Sequence, residues 1–140
     1  MGCDIHWYVE VQDENGKWNF VGSEFIYDVD GLLNASWIGE DEDTLPYIYN
    51  TRSYYIFSQL AGVRKEMCPE VGYIPPRGIP EDCSDEYRMF VDWWGIDGHS
   101  HSWLLLNELY GIDRFPSLVL DTMKELGPSD KVRAVFFFDN

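Results

Sequence analysis

The segment from Lys131 to Asp139 constrains the fold of this 140-residue chain more than any other. It contains an unbroken apolar run, Val135-Phe136-Phe137-Phe138. A strand that is apolar on both faces is typical of the centre of a sheet whose two faces are both covered. We therefore predict that this segment is a central strand.

A second strand is predicted at the start of the sequence, from Cys3 to Val11, where polar and apolar residues alternate. One face carries Ile5, Trp7, Val9 and Val11, and the other carries Asp4, His6, Tyr8 and Glu10. The turn signal Asp13-Glu14-Asn15-Gly16 and a return strand from Lys17 to Gly22 complete a predicted hairpin. Since each terminal strand is too apolar on one face to stand alone, we expect both in one sheet.

Three helices are predicted between these strands. The first covers Ser53 to Leu60, with Ser53 as its cap. The second covers Trp103 to about Tyr110, with Ser102 as its cap. The third begins near Pro116, a preferred first position, and ends at Gly127.

The remaining segments are less regular. Ser23 to Tyr49 is predicted to be a partly ordered excursion, and Ser84 to Met89 a helical turn. A proline-rich loop from Met67 to Cys83 is long enough to wrap the core or to carry function. The order of elements predicts a small α+β protein, a single domain over residues 1–140, with a mainly antiparallel sheet that includes both terminal strands.

The charge and the cysteines restrict the class of protein. The net charge is −15, from 25 acidic and 10 basic residues, which argues against direct binding of nucleic acid because that needs a basic face. The charge permits plain solubility, a clustered metal site, or a surface that imitates DNA. The three cysteines, an odd number without a C-x-x-C pair, favour a reducing cytoplasm. No apolar stretch approaches the length of a membrane span.

All three histidines lie in two short motifs, Asp4-Ile5-His6 and His99-Ser100-His101. On a β-strand, residues i and i+2 share a face and lie about 6.5–7 Å apart, so the side chains of each motif can converge on one ion. The predicted metal ligands are Asp4, His6, His99 and His101. Three imidazoles and one carboxylate suit a divalent ion such as zinc, manganese or iron.

Both motifs have other interpretations. Asp4 and His6 also fit the polar face of an exposed strand. The stretch from His99 to Ser102 precedes a predicted helix, whose N-terminus carries partial positive charge and favours an anion such as phosphate over a cation. A metal with a bound phosphate satisfies both tendencies. The remaining alternative is a purely structural helix cap.

The few arginines have informative positions. Arg52 precedes the first predicted helix, Arg64 follows it, and Arg77 lies in the proline-rich loop. The planar guanidinium group suits bidentate recognition of phosphate or carboxylate. We predict that the three bind the anionic part of a substrate; the alternative is ordinary pairing with the many carboxylates.

Several blocks of the sequence resemble a family of small uncharacterised bacteriophage and bacterial proteins. The blocks are Met1 to His6 (MGCDIH), Arg52 to Arg64 (RSYYIFSQLAGVR), Pro76 to Asp82 (PRGIPED), His99 to Leu104 (HSHSWL) and Val132 to Asn140. The resemblance spans nearly the whole chain and implies a phage-infected or prophage-bearing cell, without a reaction. It covers the predicted site residues and Asp82.

A fainter similarity is to calcineurin-like metallophosphoesterases, which also have D-x-H on an early strand and a late G-H-x-H, here Gly98 to His101. Their G-D-x-x-D and G-N-H-[DE] blocks are absent, so this is an analogy of ligand spacing.

The leading functional hypothesis is a metal- or anion-directed site that hydrolyses a phosphoester such as a nucleotide, with a bound ion activating water. The first alternative is a module that sequesters a nucleotide without turnover. The second is an acidic inhibitor that mimics DNA and occupies a host defence protein.

Overall fold

In the computed structural model, residues 2–21 and 52–139 are described. They form a four-stranded antiparallel sheet with the order β2-β1-β4-β3. The strands are β1 (Asp4–Gln12), β2 (Trp18–Phe20), β3 (Gly98–Leu105) and β4 (Val132–Asp139). Both terminal strands lie in this sheet, with β4 between β1 and β3, so the predicted α+β fold and central strand are confirmed. The predicted excursion from Ser23 to Tyr49 lies outside the described residues.

Four α-helices accompany the sheet in the described ranges: α1 (Tyr54–Ala61), α2 (Asp85–Trp94), α3 (Leu106–Leu109) and α4 (Ser117–Lys124). Ser53 caps α1 as predicted, since its side chain accepts a hydrogen bond from the Ile56 amide. Gly62 ends α1 in the left-handed conformation, at φ 72°. Short 3-10 turns follow at Lys65–Met67 and Gly95–Asp97. None of the helices in the described part has the length and apolar character needed to cross a bilayer.

The apolar run of β4 contributes to two separate cores. Phe136 and Phe138 pack with residues of α1, α3 and α4 on one face of the sheet. Phe137 and Val135 pack with residues of α2 on the other face. Helices therefore cover both faces, which explains why β4 has no polar alternation.

The predicted helix from Trp103 to Tyr110 is wrong over its first part. Gly98–Leu105 is strand β3, and only Leu106–Leu109 is helical. The edge of β4 offers unpaired backbone groups, and pairing with them outweighs the local helical pattern after Ser102. His99 to Ser102 is therefore not a helix N-terminus, and the argument for an anion from the partial charge of that terminus does not apply.

The helical turn predicted at Ser84 to Met89 is longer in the structure, where α2 has ten residues. Ser84 caps it by accepting a hydrogen bond from the Tyr87 amide. The proline-rich loop has no regular structure but follows the outer edge of β3. There the Gly78 amide donates to the His101 carbonyl at 2.8 Å, and the Arg77 amide donates to the Ser102 hydroxyl at 3.1 Å.

Candidate functional site

The pairing of β1 with β4 places His6 directly opposite Phe137 and Asp4 opposite Asp139. Asp139 is therefore diagonal to His6 on the same face, within reach of a polar side chain. The His6 Nε2 atom lies 2.9 Å from Asp139 Oδ2. We call this end of the sheet, which includes Asp4, His6, Asp139 and the beginning of β3, the histidine end.

The His6–Asp139 pair is shielded by aromatic rings. The His6 ring centroid lies 4.2 Å from that of Trp94, the last residue of α2, and 5.0 Å from that of Phe137. The side chains of His6 and Asp139 are each only 19% exposed. A carboxylate partner orients an imidazole and fixes its tautomer. With Nε2 donating to Asp139, Nδ1 is the basic nitrogen of the neutral ring, and the pair has the form of a general base.

The two histidines of the H-x-H motif do not share a face. His99 pairs with Phe138 and Ser102 with Phe136, so two residues of β3 lie opposite Phe137 alone. The extra residue forms a β-bulge in which Ser100 has a φ of +54°. The bulge breaks the i, i+2 alternation, so that His101 packs against Phe137 and His99 lies on the side of Phe138. The expectation that both imidazoles point the same way is wrong.

His101 lies on the same face as His6, with the central strand between them. Its ring centroid is 5.2 Å from that of Phe137, and its Nε2 is buried without a hydrogen-bond partner in the described structure. Trp94 Nε1 is likewise buried and unpartnered. Gly98 leaves room for these rings, because a Cβ there would lie 3.1 Å from the Phe137 ring. The histidine end thus holds two ring nitrogens with unused hydrogen-bonding capacity.

Burial lowers the pKa of His101 from its ordinary value of 6.5, and the nearby His99 lowers it further. The folded protein disfavours the charged ring, so the unfolded chain binds a proton more readily as pH falls. We therefore expect the free energy of unfolding to fall as the pH drops below about 6.5. His101→Asn should remove this part of the pH dependence.

Proton NMR titration of the three histidine ring signals, assigned with His101→Asn, checks this expectation. The His101 signal should titrate below the ordinary histidine value. A His101 midpoint at or above that value contradicts the lowered pKa.

Two of the predicted anion-binding arginines lie near the beginning of β1. Arg52 donates from Nε and Nη2 to Asp4 Oδ1, at 3.0 and 2.7 Å. The Arg64 guanidinium lies 5.0 Å from the centroid of the Tyr54 ring, whose hydroxyl accepts a hydrogen bond from the Cys3 amide. Burial raises the pKa of the Cys3 thiol, and the charges of Arg64 and Arg52 oppose that rise. The positive charges of both guanidinium groups therefore influence the Cys3 thiol, just before β1.

Arg77 lies elsewhere. It forms a two-pronged ion pair with Glu108, at 2.9 and 2.6 Å, and its guanidinium lies 4.8 Å from the Trp103 ring centroid. The hydrogen bonds from Arg77 lower the pKa of Glu108. A cleft of about 660 Å³ opens beside it, towards the other end of the sheet. Its lining includes Trp18, Arg77, Asp82, Trp103, Asp130 and Arg133.

The predicted metal ligands have different neighbours. Asp4 pairs with Arg52, His6 with Asp139, and His99 Nδ1 lies 3.0 Å from the Ser100 hydroxyl. Among the described residues, no three side chains of histidine, cysteine, aspartate or glutamate are grouped as a metal ion requires. A metal held by Asp4, His6, His99 and His101 stays a prediction.

Asp139, of the histidine end, and Trp94, whose ring covers His6, are not among the predicted site residues. The sequence contained a usable indication for Asp139. Antiparallel pairing of the two terminal strands brings the start of one beside the end of the other, and so brings a carboxylate to His6. Trp94 had no such indication, because its position depends on how α2 packs across the sheet.

Comparisons of the chain with models of known protein families, with curated proteins and with solved structures give no match.

Proposed function

We propose that the protein is a small hydrolase that acts at the histidine end on a phosphorylated small molecule such as a nucleotide. The observation that carries the proposal is the 2.9 Å contact between His6 Nε2 and Asp139 Oδ2 beneath the rings of Trp94 and Phe137. A histidine oriented by a carboxylate in a shielded setting is a common general base.

The chemical step follows from the tautomer. His6 Nδ1 accepts a proton from water while the water oxygen attacks phosphorus and the bond to the leaving alcohol breaks. Asp139 stabilises the imidazolium that forms, and the imidazolium then returns the proton to the leaving oxygen. Arg52 compensates the charge of Asp4, which shares a strand face with His6, and this lowers the repulsion of an anionic substrate at this end of the sheet.

No step of this mechanism passes through a metal, since three ligands are not grouped among the described residues. The predicted ion, zinc, manganese or iron, is tested separately by elemental analysis of protein purified without an affinity tag. Metal that is retained by the wild type and lost in His99→Ala and His101→Ala would favour the metal-dependent form of the hydrolase.

We expect His6→Ala and Asp139→Asn each to lower the rate of phosphoester hydrolysis by about a hundredfold or more, because the first removes the general base and the second removes the carboxylate that fixes its tautomer. The measurement is release of p-nitrophenol from its phosphate mono- and diesters, and of phosphate from a panel of nucleotides. Asp121→Asn, a change at an exposed carboxylate of α4, is the matched control and should retain the wild-type rate.

Hydrolysis that survives both site variants contradicts the proposed base. Nucleotide binding detected by calorimetry without turnover would favour the sequestering module instead. The cleft beside Arg77, at the other end of the sheet, is where such a module would be looked for first. The net charge of −15 supports the third candidate, a DNA mimic, which is tested by competition for a host DNA-binding enzyme.

A further inference from the structure

The outer face of α2 carries large apolar side chains in water. Met89 is 51% exposed, Trp93 is 81% exposed, and Ile96, in the turn after the helix, is fully exposed. Single exposed apolar residues are ordinary, but neighbouring ones that include a tryptophan indicate an interaction surface. We call Met89, Trp93 and Ile96 the α2 stripe.

Among the described residues, the stripe takes no part in the core that α2 helps to build. Tyr87, Phe90 and Val91 form the inner face of α2 and pack on the sheet. Met89 and Trp93 are one turn apart on the opposite side of the helix, and the positive φ of Gly95 turns the chain just before Ile96. The apolar side chains of the stripe therefore face away from the core that α2 helps to build.

Carboxylates flank the stripe. Asp92 and Asp97 are exposed, and neither forms an ion pair with a described residue. The cation on this helix, Arg88, donates to the Cys83 sulfur at 3.3 Å, near the start of α2. The surface is thus apolar along its middle and negative at its edges.

We propose that the α2 stripe is a docking surface for an amphipathic helix of a partner protein, with apolar residues on its contact face and lysine or arginine at the margins. Apolar contact supplies affinity in helix-on-helix docking, and opposite charges at the rim supply specificity. The net charge of −15 opposes a second copy of this chain, and the flanking carboxylates oppose an anionic membrane.

The test uses the full chain and a dye-labelled synthetic peptide of leucine and lysine, about 18 residues or five helical turns long. A peptide with glutamate in place of lysine is the negative control. Binding is followed by fluorescence anisotropy near physiological ionic strength. We expect the lysine peptide to bind, Trp93→Ala/Ile96→Ser to weaken binding about tenfold or more, and the glutamate peptide not to bind.

The charge contribution is tested with a matched pair of variants. Asp92→Asn/Asp97→Asn should weaken binding and reduce its dependence on salt. Asp121→Asn/Glu125→Gln changes the net charge equally, on α4 and at the residue that follows it, and should leave binding within about twofold of wild type.

Three outcomes overturn the proposal. The first is equal binding by the wild type and Trp93→Ala/Ile96→Ser. The second is an equal loss in both charge variants, which indicates non-specific attraction to an acidic protein. The third is a different occupant, seen as a dimer in light scattering or as binding to anionic phospholipid vesicles that Trp93→Ala/Ile96→Ser abolishes.

Discussion

Replacing Arg133 with methionine is expected to lower the free energy of unfolding by about 3–5 kcal/mol. The Arg133 side chain is 3% exposed and that of its partner Glu10 is fully buried. Arg133 Nε and Nη2 both donate to Glu10 Oε1, at 2.8 and 2.7 Å. The other oxygen of Glu10 accepts a hydrogen bond from the Ser84 amide at 2.7 Å, so the pair joins two strands to the start of α2.

The loss is large because the variant leaves a buried carboxylate without its counter-charge. Urea unfolding measures it. Arg52→Met breaks an exposed ion pair and should have little effect, since exposed pairs contribute little. The double variant Glu10→Leu/Arg133→Met should be more stable than Arg133→Met, because no charge is then stranded. An Arg133→Met protein as stable as Arg52→Met contradicts the importance of this pair.

Phe137→Ala is expected to lower the free energy of unfolding by a similar amount, about 3–5 kcal/mol. Phe137 is fully buried, and its ring lies against those of His6, Tyr8, Trp94 and His101. Removing it leaves a cavity in the core under α2 and takes away the surface on which both imidazoles rest. The expected result is therefore a loss of stability together with a change at the histidine end.

Phe57→Ala is the matched control. Phe57 is also fully buried, but it packs against Phe138 on the other face of the sheet. Both variants should lose stability in urea unfolding, whereas only Phe137→Ala should shift the NMR signals of the His6 and His101 rings. Equal shifts in the two variants contradict the supporting role of Phe137.

The fold was predictable where a local pattern determined the structure. The apolar run of β4, the alternation of β1 and the cap at Ser53 each act within a few residues, and each was interpreted correctly. The structure of the segment after Ser102 could not be predicted in this way, because it depends on pairing with an edge of β4 about thirty residues away in the sequence. Sequence spacing cannot report the competition between a local helix and a distant strand edge.

The site was predictable only in part, for the same reason. The spacing of the histidine motifs assumed regular strands, and the bulge at Ser100 invalidated that assumption for His99 and His101. The Glu10–Arg133 pair was also missed. A charged residue within each of two largely buried strands was an indication of it, because such charges are retained in a core only when they pair.

The position of β4 has a consequence for biosynthesis. Glu10 and Arg133 are 123 residues apart in the sequence, and β4 is the partner of both β1 and β3. At about 5–20 residues per second, the ribosome takes roughly 6–25 s to proceed from the end of β1 to the end of β4. During that interval the backbone edge of β1 that pairs with β4 has no partner strand. We expect the nascent chain to present this open edge and the apolar side chains of β1 to chaperones until the last strand of the sheet emerges.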